Sequence, residues 1–355
     1  MGILDRYLVK AILQSVALVL LVLLALGIFV SFVGQLDNIG TGTYDLTDAV
    51  VYVLLTIPKQ AFDMLPVAAL LGTLLALGQM ATHSELIVMR ASGISLFRMS
   101  RTVLIAGVLL AMLAGTLGEF IAPPAEQYAR SSRALALDDR LSIAGGRSAW
   151  IKDQQTIINV DELRGSQDLG GVYLFEFDEA HQLKRISRAA SADVGSDGEW
   201  RLSDIQETTF ESDKVSGRSV FQRDQPTILR PELVGLSVVD PDSLASRGLR
   251  SYVSYLQQNA LDSHRYEVAY WSRLSEIASV IFMTALALPF AFGSLRSAGT
   301  GQRLLVGVLI GVAYVLASKT MSNSGEVFGF NPFVAAWLPA LSLALLSTIL
   351  IWRTR

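Results

Sequence analysis

Two long apolar segments of this chain are separated by residues 78–101, GQMATHSELIVMRASGISLFRMSR. Thr82 and Glu85 have the spacing of a capping box, which predicts the start of a short helix. Gly93 predicts its end, because glycine tolerates the left-handed conformation that follows many helices. The stretch is too short and too charged to span a bilayer, so it is expected at the membrane surface or in a partner's groove. An ordinary amphipathic loop helix fits the same pattern.

Charge-poor apolar runs on both sides of this stretch predict six transmembrane helices. The first run, Ala11–Leu36, has no charged residue over roughly 26 positions, enough to cross a hydrocarbon core of about 30 Å. It is too long for the apolar part of a cleaved signal peptide, and no small-residue cleavage site follows it. The other runs are Met64–Ala81, Thr102–Gly118, Ile277–Leu295, Leu304–Ser318 and Val327–Trp352.

Positive charges near the ends of the runs predict the orientation of the chain. One side of the predicted bundle carries Arg6, Lys10, Arg90, Arg98, Arg101, Arg296, Arg303, Arg353 and Arg355. The short segments on the other side offer only Lys59 and Lys319. By the positive-inside rule, both termini and the short helix at about 82–93 face the cytoplasm.

A long polar segment, residues 125–266, follows the third run and has the size of an ordinary domain. Its strand-like runs are Ala149–Val160, Gly171–Asp178, Leu183–Ala192, Trp200–Phe210 and Val215–Gln222. Short strands at this spacing predict an antiparallel sandwich or barrel-like sheet outside the cytoplasm. Apolar side chains then mark one face of a helix at Leu249, Tyr252, Val253 and Leu256. The predicted domains are therefore residues 1–124, 125–266 and 267–355.

Two features at the start of the second apolar region allow more than one interpretation. Pro58 and Pro66 are expected to kink or segment the second helix. Between them, Lys59 and Asp63 stand four residues apart, so they can pair on one helix face, or Lys59 can point into a cavity of the outer leaflet.

The fifth run contains a small-xxx-small pair, Gly307 and Gly311, which lets another helix approach closely. That helix can belong to a partner or to this chain.

Several classes of function are excluded or disfavoured by what the sequence lacks. With no cysteine, disulfides, zinc–thiolate sites and thiol nucleophiles are excluded. There is no phosphate-binding loop of the G-x-x-x-x-G-K-[ST] type and no His-Glu-x-x-His motif. The net charge of −3, without a basic block, gives no sign of nucleic-acid binding. We expect no catalytic residues, no metal site and no cofactor.

The order of three spans, β domain and three spans resembles the lipopolysaccharide export permeases of the LptF/LptG family over nearly the whole chain. The motifs that carry the resemblance look like its LptG branch, and they are Leu4–Tyr7, Gly40–Asp45, Ser84–Gly93 and Gly118–Pro123. The resemblance implies an inner-membrane protein of a Gram-negative bacterium with six transmembrane helices. It also implies an all-β, jellyroll-like domain in the periplasm between helices 3 and 4.

The resemblance further implies a transport machine with several partners. These are an LptF-like permease, a dimer of an LptB-like ATPase, and an LptC-like single-span protein that leads to a periplasmic bridge. Hydrolysis of ATP would then belong to the ATPase rather than to this chain. The short cytoplasmic helix resembles the family's coupling helix, with Glu85, Leu86, Met89 and Arg90 as the contact residues.

Lipopolysaccharide combines acyl chains with phosphorylated sugars, so its carrier needs an apolar cavity with cations at the outer rim. By resemblance, the cations expected to contact phosphate are Lys59, Arg130 and Arg133. The first and fifth spans are expected to line the cavity and gate, with Phe29, Phe32, Val33, Leu36, Gly307 and Gly311 as candidates. The chain departs from the family at the outer end of the first span, where relatives carry lysines and this chain has Ser31, Asp37 and Asn38.

Two other functions compete with this interpretation. Export subunits of the lipoprotein-releasing or macrolide-exporter type place their large external domain between the first and second spans, which disfavours them here. A membrane-anchored scaffold would use the β domain to recruit periplasmic proteins without moving a substrate. Coupled ATPase activity distinguishes a transporter subunit from such a scaffold.

Overall fold

The computed structural model describes residues 2–137, 149–153, 155–163, 168–178, 182–194, 199–211, 214–226, 240–292 and 299–353. Arg296 and Arg355, which contributed to the predicted orientation, lie outside these ranges. The described chain separates into two compact units. The membrane unit comprises Met1–Ile39, Asp45–Arg133 and His264–Arg355, and the β unit comprises Gly40–Tyr44 and Ala134–Ser263.

Six helical segments of the described chain are long and apolar enough to cross a membrane, which confirms the predicted count. The α-helices up to the sheet are α1 (Ile3–Leu36), α2 (Leu46–Thr82), α3 (Glu85–Ala91), α4 (Leu96–Thr116) and α5 (Ala122–Leu137). Those after the sheet are α6 (Ser246–Gln258), α7 (His264–Phe292), α8 (Thr300–Phe328) and α9 (Pro332–Arg353). A π-helical turn, Leu117–Ile121, joins α4 to α5, and a single 3-10 turn, Pro241–Ser243, precedes α6.

The second span, α2, is the buried centre of the membrane unit. It runs through both Pro58 and Pro66 as one helix of 37 residues, so the prolines do not segment it, and the alternative of a kink stays a prediction. Proline is tolerated inside membrane helices where neighbouring groups satisfy the freed carbonyls. A Cβ atom added at Gly72 would lie 2.4 Å from the Cα atom of Val16, so α1 and α2 meet there backbone to backbone.

The short helix between α2 and α4 begins differently from the prediction. Thr82 ends α2, and its hydroxyl donates to the carbonyl of Gly78 at 3.0 Å. Ser84 precedes α3 in a left-handed conformation without a side-chain cap, so the predicted capping box is wrong. Gly93 does take the predicted left-handed conformation after the helix, with φ +86°.

The β unit contains one six-stranded antiparallel sheet whose strands pair in sequential order. The strands are β1 (Ala149–Asp153), β2 (Thr156–Leu163), β3 (Asp168–Phe177), β4 (Leu183–Val194), β5 (Glu199–Glu211) and β6 (Lys214–Pro226). The run predicted as a single strand at Ala149–Val160 is a hairpin, in which Ala149 pairs with Val160. The predicted β domain is therefore confirmed, and its described strands form a meander.

Apolar side chains alternate along the central strands, as a sheet with one buried face requires. The buried members include Ile158, Val160, Val172, Leu174, Ala189, Trp200, Leu202 and Ile205. The predicted helix near Leu249 is α6, which buries Leu249, Tyr252, Tyr255 and Leu256. The Tyr255 hydroxyl donates to the Lys152 carbonyl at 2.6 Å, which ties α6 to strand β1.

Candidate functional site

The Lys59 side chain of α2 is held by two partners on its own helix. Its ammonium donates to Asp63 Oδ1 at 2.8 Å, which is one of the two arrangements that the sequence left open. It also lies 5.6 Å from the centre of the Phe62 ring, within the range of a cation–π interaction. Phe62 is buried, whereas Asp63 remains exposed over 46% of its side chain.

The other two predicted phosphate ligands lie one turn apart on α5. The Arg130 guanidinium donates from Nε and Nη2 to Glu126 Oε1, at 3.0 and 2.6 Å. The guanidinium of Arg133 lies 5.3 Å from the centre of the Tyr52 ring of α2. Because Tyr52 and Lys59 belong to the same helix, the structure places the three predicted cations on two facing helices.

A fourth cation, Arg273 of α7, belongs to the same region and was missed by the sequence analysis. It is 5% exposed, and its Nη2 donates to the carbonyl of Gly118 at 2.7 Å. Its Nε lies 3.4 Å from Glu119 Oε1, and its guanidinium lies 5.7 Å from the Phe62 ring centre. An arginine close to an apolar run was a usable signal, since ionisable residues in membrane helices are rarely incidental.

The position of Gly118 explains how Arg273 reaches a backbone carbonyl. Gly118 lies in the π-helical turn, where the usual i→i−4 bonding pattern is interrupted. A Cβ atom at Gly118 would lie 2.6 Å from the Phe62 ring, so only glycine lets the turn pack on that ring. Phe62 is thus fixed between Gly118, Lys59 and Arg273.

The predicted acyl-chain residues of α1 lie mostly on an open apolar face. Phe29, Val33 and Leu36 are exposed, and Phe32 is half-buried. The same exposed face continues down the helix through Leu18, Leu21, Val22, Leu26 and Val30. At the level of these residues α1 is joined to α2, since Gln60 Nε2 donates to Ser31 Oγ at 2.8 Å.

The predicted glycine pair of α8 faces the interior of this chain. A Cβ atom at Gly307 would lie 2.7 Å from side-chain carbons of Leu71 and Leu74, and one at Gly311 would lie 2.9 Å from Val67. The pair therefore packs α8 onto α2. Large apolar residues of α8 are exposed at Leu305, Val308, Leu309, Val312 and Leu316.

The short helix α3 divides its predicted contact residues between two environments. Leu86 and Met89 are buried, in the apolar cluster that also contains Leu8 and Ile12 of α1. Arg90 is exposed, and Glu85 accepts a hydrogen bond from the Tyr7 hydroxyl of α1 at 3.0 Å.

Sequence reasoning missed the apolar residues that α3 does expose. These are Ile87 and Val88, with exposed fractions of 46% and 62%. Leu86 and Met89 are three residues apart and share a helix face, but spacing alone does not tell which face turns inward.

The Arg303 side chain joins the start of α8 to the end of α2. It is 4% exposed, and its Nη1 donates to the carbonyl of Gly78 at 2.6 Å. A Cβ atom at Gly78 would lie 2.6 Å from this nitrogen, so a larger residue there would require the Arg303 side chain to shift.

Comparison with known proteins gives one consistent family. The family model for lipopolysaccharide export system permeases LptF/LptG matches residues 6–353. The chain is 34% identical to the lipopolysaccharide export system permease protein LptG of Escherichia coli K12, over 99% of this chain and 98% of that protein. It is 33% identical to LptG of Haemophilus influenzae, over 98% and 97% of the two chains. It is 22% identical to the lipopolysaccharide export system permease protein LptF of E. coli K12, over 99% of this chain and 95% of that protein.

Proposed function

The chain belongs to the LptF/LptG family of lipopolysaccharide export system permeases, and we propose that it is the LptG-like subunit of an ATP-driven exporter. In this proposal it takes lipopolysaccharide from the outer leaflet of the inner membrane and passes it to a periplasmic bridge. The higher identity to LptG than to LptF supports the choice between the two branches.

The observation that carries this proposal is an amphiphilic arrangement in the membrane unit. Three cations on α2 and α5 lie beside aromatic rings and carboxylates, and the Gln60–Ser31 bond holds α1 against α2, with the open apolar face of α1 on the other side of that helix. A phosphorylated glycolipid needs both elements, cations for its phosphates and apolar surface for its acyl chains. Lys59, Arg130 and Arg133 take the first role, and Phe29, Phe32, Val33 and Leu36 take the second.

Substrate would leave this site when the cavity between two permeases closes. The partner permease is LptF-like, and the exposed faces of α1 and α8 are the surfaces available to it and to an LptC-like helix. Gly307 and Gly311 contribute by fixing α8 on α2 rather than by touching the partner. If the cavity stays open when the ATPase dimer closes, this part of the proposal is wrong.

Coupling to ATP hydrolysis would run through α3. Its buried residues Leu86 and Met89 anchor the helix in the same apolar cluster as the start of α1. Its exposed residues Ile87, Val88 and Arg90 and the half-buried Glu85 then remain for an LptB-like ATPase on the cytoplasmic side. A force on α3 would reach α1 through the Tyr7–Glu85 bond and through the shared cluster.

Co-purification with the ATPase tests the proposal. We expect the unmutated chain to bring down an ATPase from bacterial membranes and Glu85→Lys to lose it. In this proposal Glu85 pairs with a basic group of the ATPase. Truncating one partner of such a desolvated charge pair costs about 2–5 kcal/mol, and reversing its charge costs at least as much. Tyr7→Phe is the matched control, because it removes the internal partner of Glu85 and leaves the carboxylate in place.

Three results are informative. If Glu85→Lys loses the co-purifying ATPase and Tyr7→Phe retains it, the result supports a transporter subunit coupled at α3. Retention of an active ATPase by both variants removes Glu85 from the coupling. Absence of any ATPase with the unmutated chain contradicts the proposal and favours the membrane-anchored scaffold.

A further inference from the structure

The predicted phosphate-binding cations are not equally ready to bind an anion. Lys59 and Arg130 already carry a carboxylate from the residue four positions away on their own helix. Arg133 lies over the Tyr52 ring instead, and its Nε is buried without a hydrogen-bond partner in the described structure. Among the residues that the structure describes, a phosphate approaching this site therefore meets one cation without a carboxylate and two that already have one.

The two carboxylates differ in their freedom to leave. The Asp63 side chain is 46% exposed, so it can turn towards water and keep its charge solvated there. The Glu126 side chain is 7% exposed, and its Oε2 is buried without a hydrogen-bond partner. An ionised carboxylate in that position is strongly destabilised if its cation departs, because the buried charge is then left uncompensated. Glu126 is therefore the more firmly held of the two carboxylates, and Asp63 is the one that can exchange.

The Lys59 ammonium stays in place when Asp63 leaves, because its second partner cannot move. Phe62 is 2% exposed and is fixed by Gly118 and Arg273. The ring keeps the ammonium within cation–π distance while one of its hydrogen-bonding positions opens. Phe62 is thus the fixed support of Lys59, and Asp63 is its exchangeable partner.

Resting on the proposed function, we propose that Asp63 is a built-in counter-ion of Lys59 that substrate phosphate displaces on binding and that competes with phosphate on release. A phosphate monoester carries about −1.5 to −2 charges and three acceptor oxygens, so it replaces a single carboxylate on a shared ammonium. The displaced Asp63 remains tethered four residues away and returns when the phosphate is pulled outward. The exchange thus limits how long the exporter retains its substrate.

Lipid binding by an Asp63→Asn variant tests this exchange. The full chain, with the partners that co-purify with it, is placed in nanodiscs. Dissociation constants are then measured for bis-phosphorylated lipid A and for the same lipid without phosphates. Because an exposed ion pair contributes about 0.2–1 kcal/mol, we expect Asp63→Asn to bind the phosphorylated lipid about 1.5- to fivefold more tightly. The dephosphorylated lipid should bind both proteins equally.

Two further variants separate this effect from a general change of charge. Asp63→Glu keeps the carboxylate and should retain the affinity of the unmutated chain. Asp224→Asn removes the same charge from an exposed ion pair of the sheet, where Asp224 lies 3.4 Å from Arg201, and should change nothing.

The outcomes distinguish this inference from the proposed function. If the unmutated chain prefers the phosphorylated lipid but Asp63→Asn binds it no more tightly, the exchange is refuted and the transport function stands. If the unmutated chain binds both lipids equally, phosphate recognition by this site is refuted, and the counter-ion role falls with it.

Discussion

The first two spans reverse the rule for soluble proteins, in which the more apolar segment is the more buried one. Of the most apolar stretch of α1, 6% is buried within the chain, whereas 78% of the corresponding stretch of α2 is buried. Yet α1 is the more apolar of the two, and α2 carries Pro58, Lys59, Asp63 and Pro66. The more apolar helix is therefore the more exposed one.

A bilayer explains this reversal. Lipid tails solvate apolar side chains, so α1 has no need to bury them, while polar groups and prolines must find partners inside the bundle. The buried helix thus carries the structural contacts, and the exposed faces of α1 and α8 are open to lipid and, in the proposed function, to substrate and partners. Substitutions at the two kinds of surface should consequently have different effects.

The largest effect on stability is expected from the buried arginine of α7. Arg273→Ala removes a partner of Glu119 and of the Gly118 carbonyl, and breaking a buried ion pair costs about 3–5 kcal/mol. Arg265→Ala on the same helix is the control, because that side chain is 60% exposed and its pair with Glu326 is 3.8 Å long. Thermal unfolding in detergent should show a large loss for Arg273→Ala alone. Equal melting temperatures for both variants would show that burial of the arginine does not determine how much stability its removal costs.

An intermediate effect is expected where α1 and α2 touch. Gly72→Ala places a Cβ atom 2.4 Å from the Val16 backbone, and overpacking of this kind costs about 1–3 kcal/mol. Gly34→Ala on α1 is the matched control, because nothing lies within 4 Å of the added atom. Thermal unfolding in detergent should give a clearly lower melting temperature for Gly72→Ala than for Gly34→Ala. If both variants unfold alike, the close contact of α1 and α2 is not a structural requirement.

Much of the fold was predictable because membrane helices have a strong signal. About 20 apolar residues are needed to cross a bilayer, and each of the six predicted runs lies within or largely overlaps an observed helix. The bounds were less predictable, since α1 begins at Ile3 and α2 at Leu46, well outside their charge-poor runs. A helix can continue past the hydrocarbon core through polar residues. Its ends are then not marked by the limits of the apolar run.

The residues of the candidate site stay a prediction from resemblance, and apart from the Lys59–Asp63 pair their contacts required the structure. Lys59, Arg130 and Arg133 followed from resemblance, whereas the ring of Phe62 beneath Lys59 required the structure. The π-helical turn at Gly118 has no sequence signature, so the hydrogen bond from Arg273 to the Gly118 carbonyl could not be predicted. Local spacing was also ambiguous at Thr82, which fits a cap of α3 and in fact ends α2.

Photo-crosslinking from the exposed spans tests the central claim, that the open face of α1 contacts lipopolysaccharide, most directly. A photoreactive amino acid is placed at Phe29 of α1 or at Met112 of α4, whose side chains are 66% and 63% exposed. We predict that position 29 crosslinks to lipopolysaccharide, that Lys59→Ala with Arg133→Ala weakens this crosslink, and that position 112 captures only phospholipid. Equal capture of lipopolysaccharide at both positions, unaffected by loss of the cations, would contradict the account.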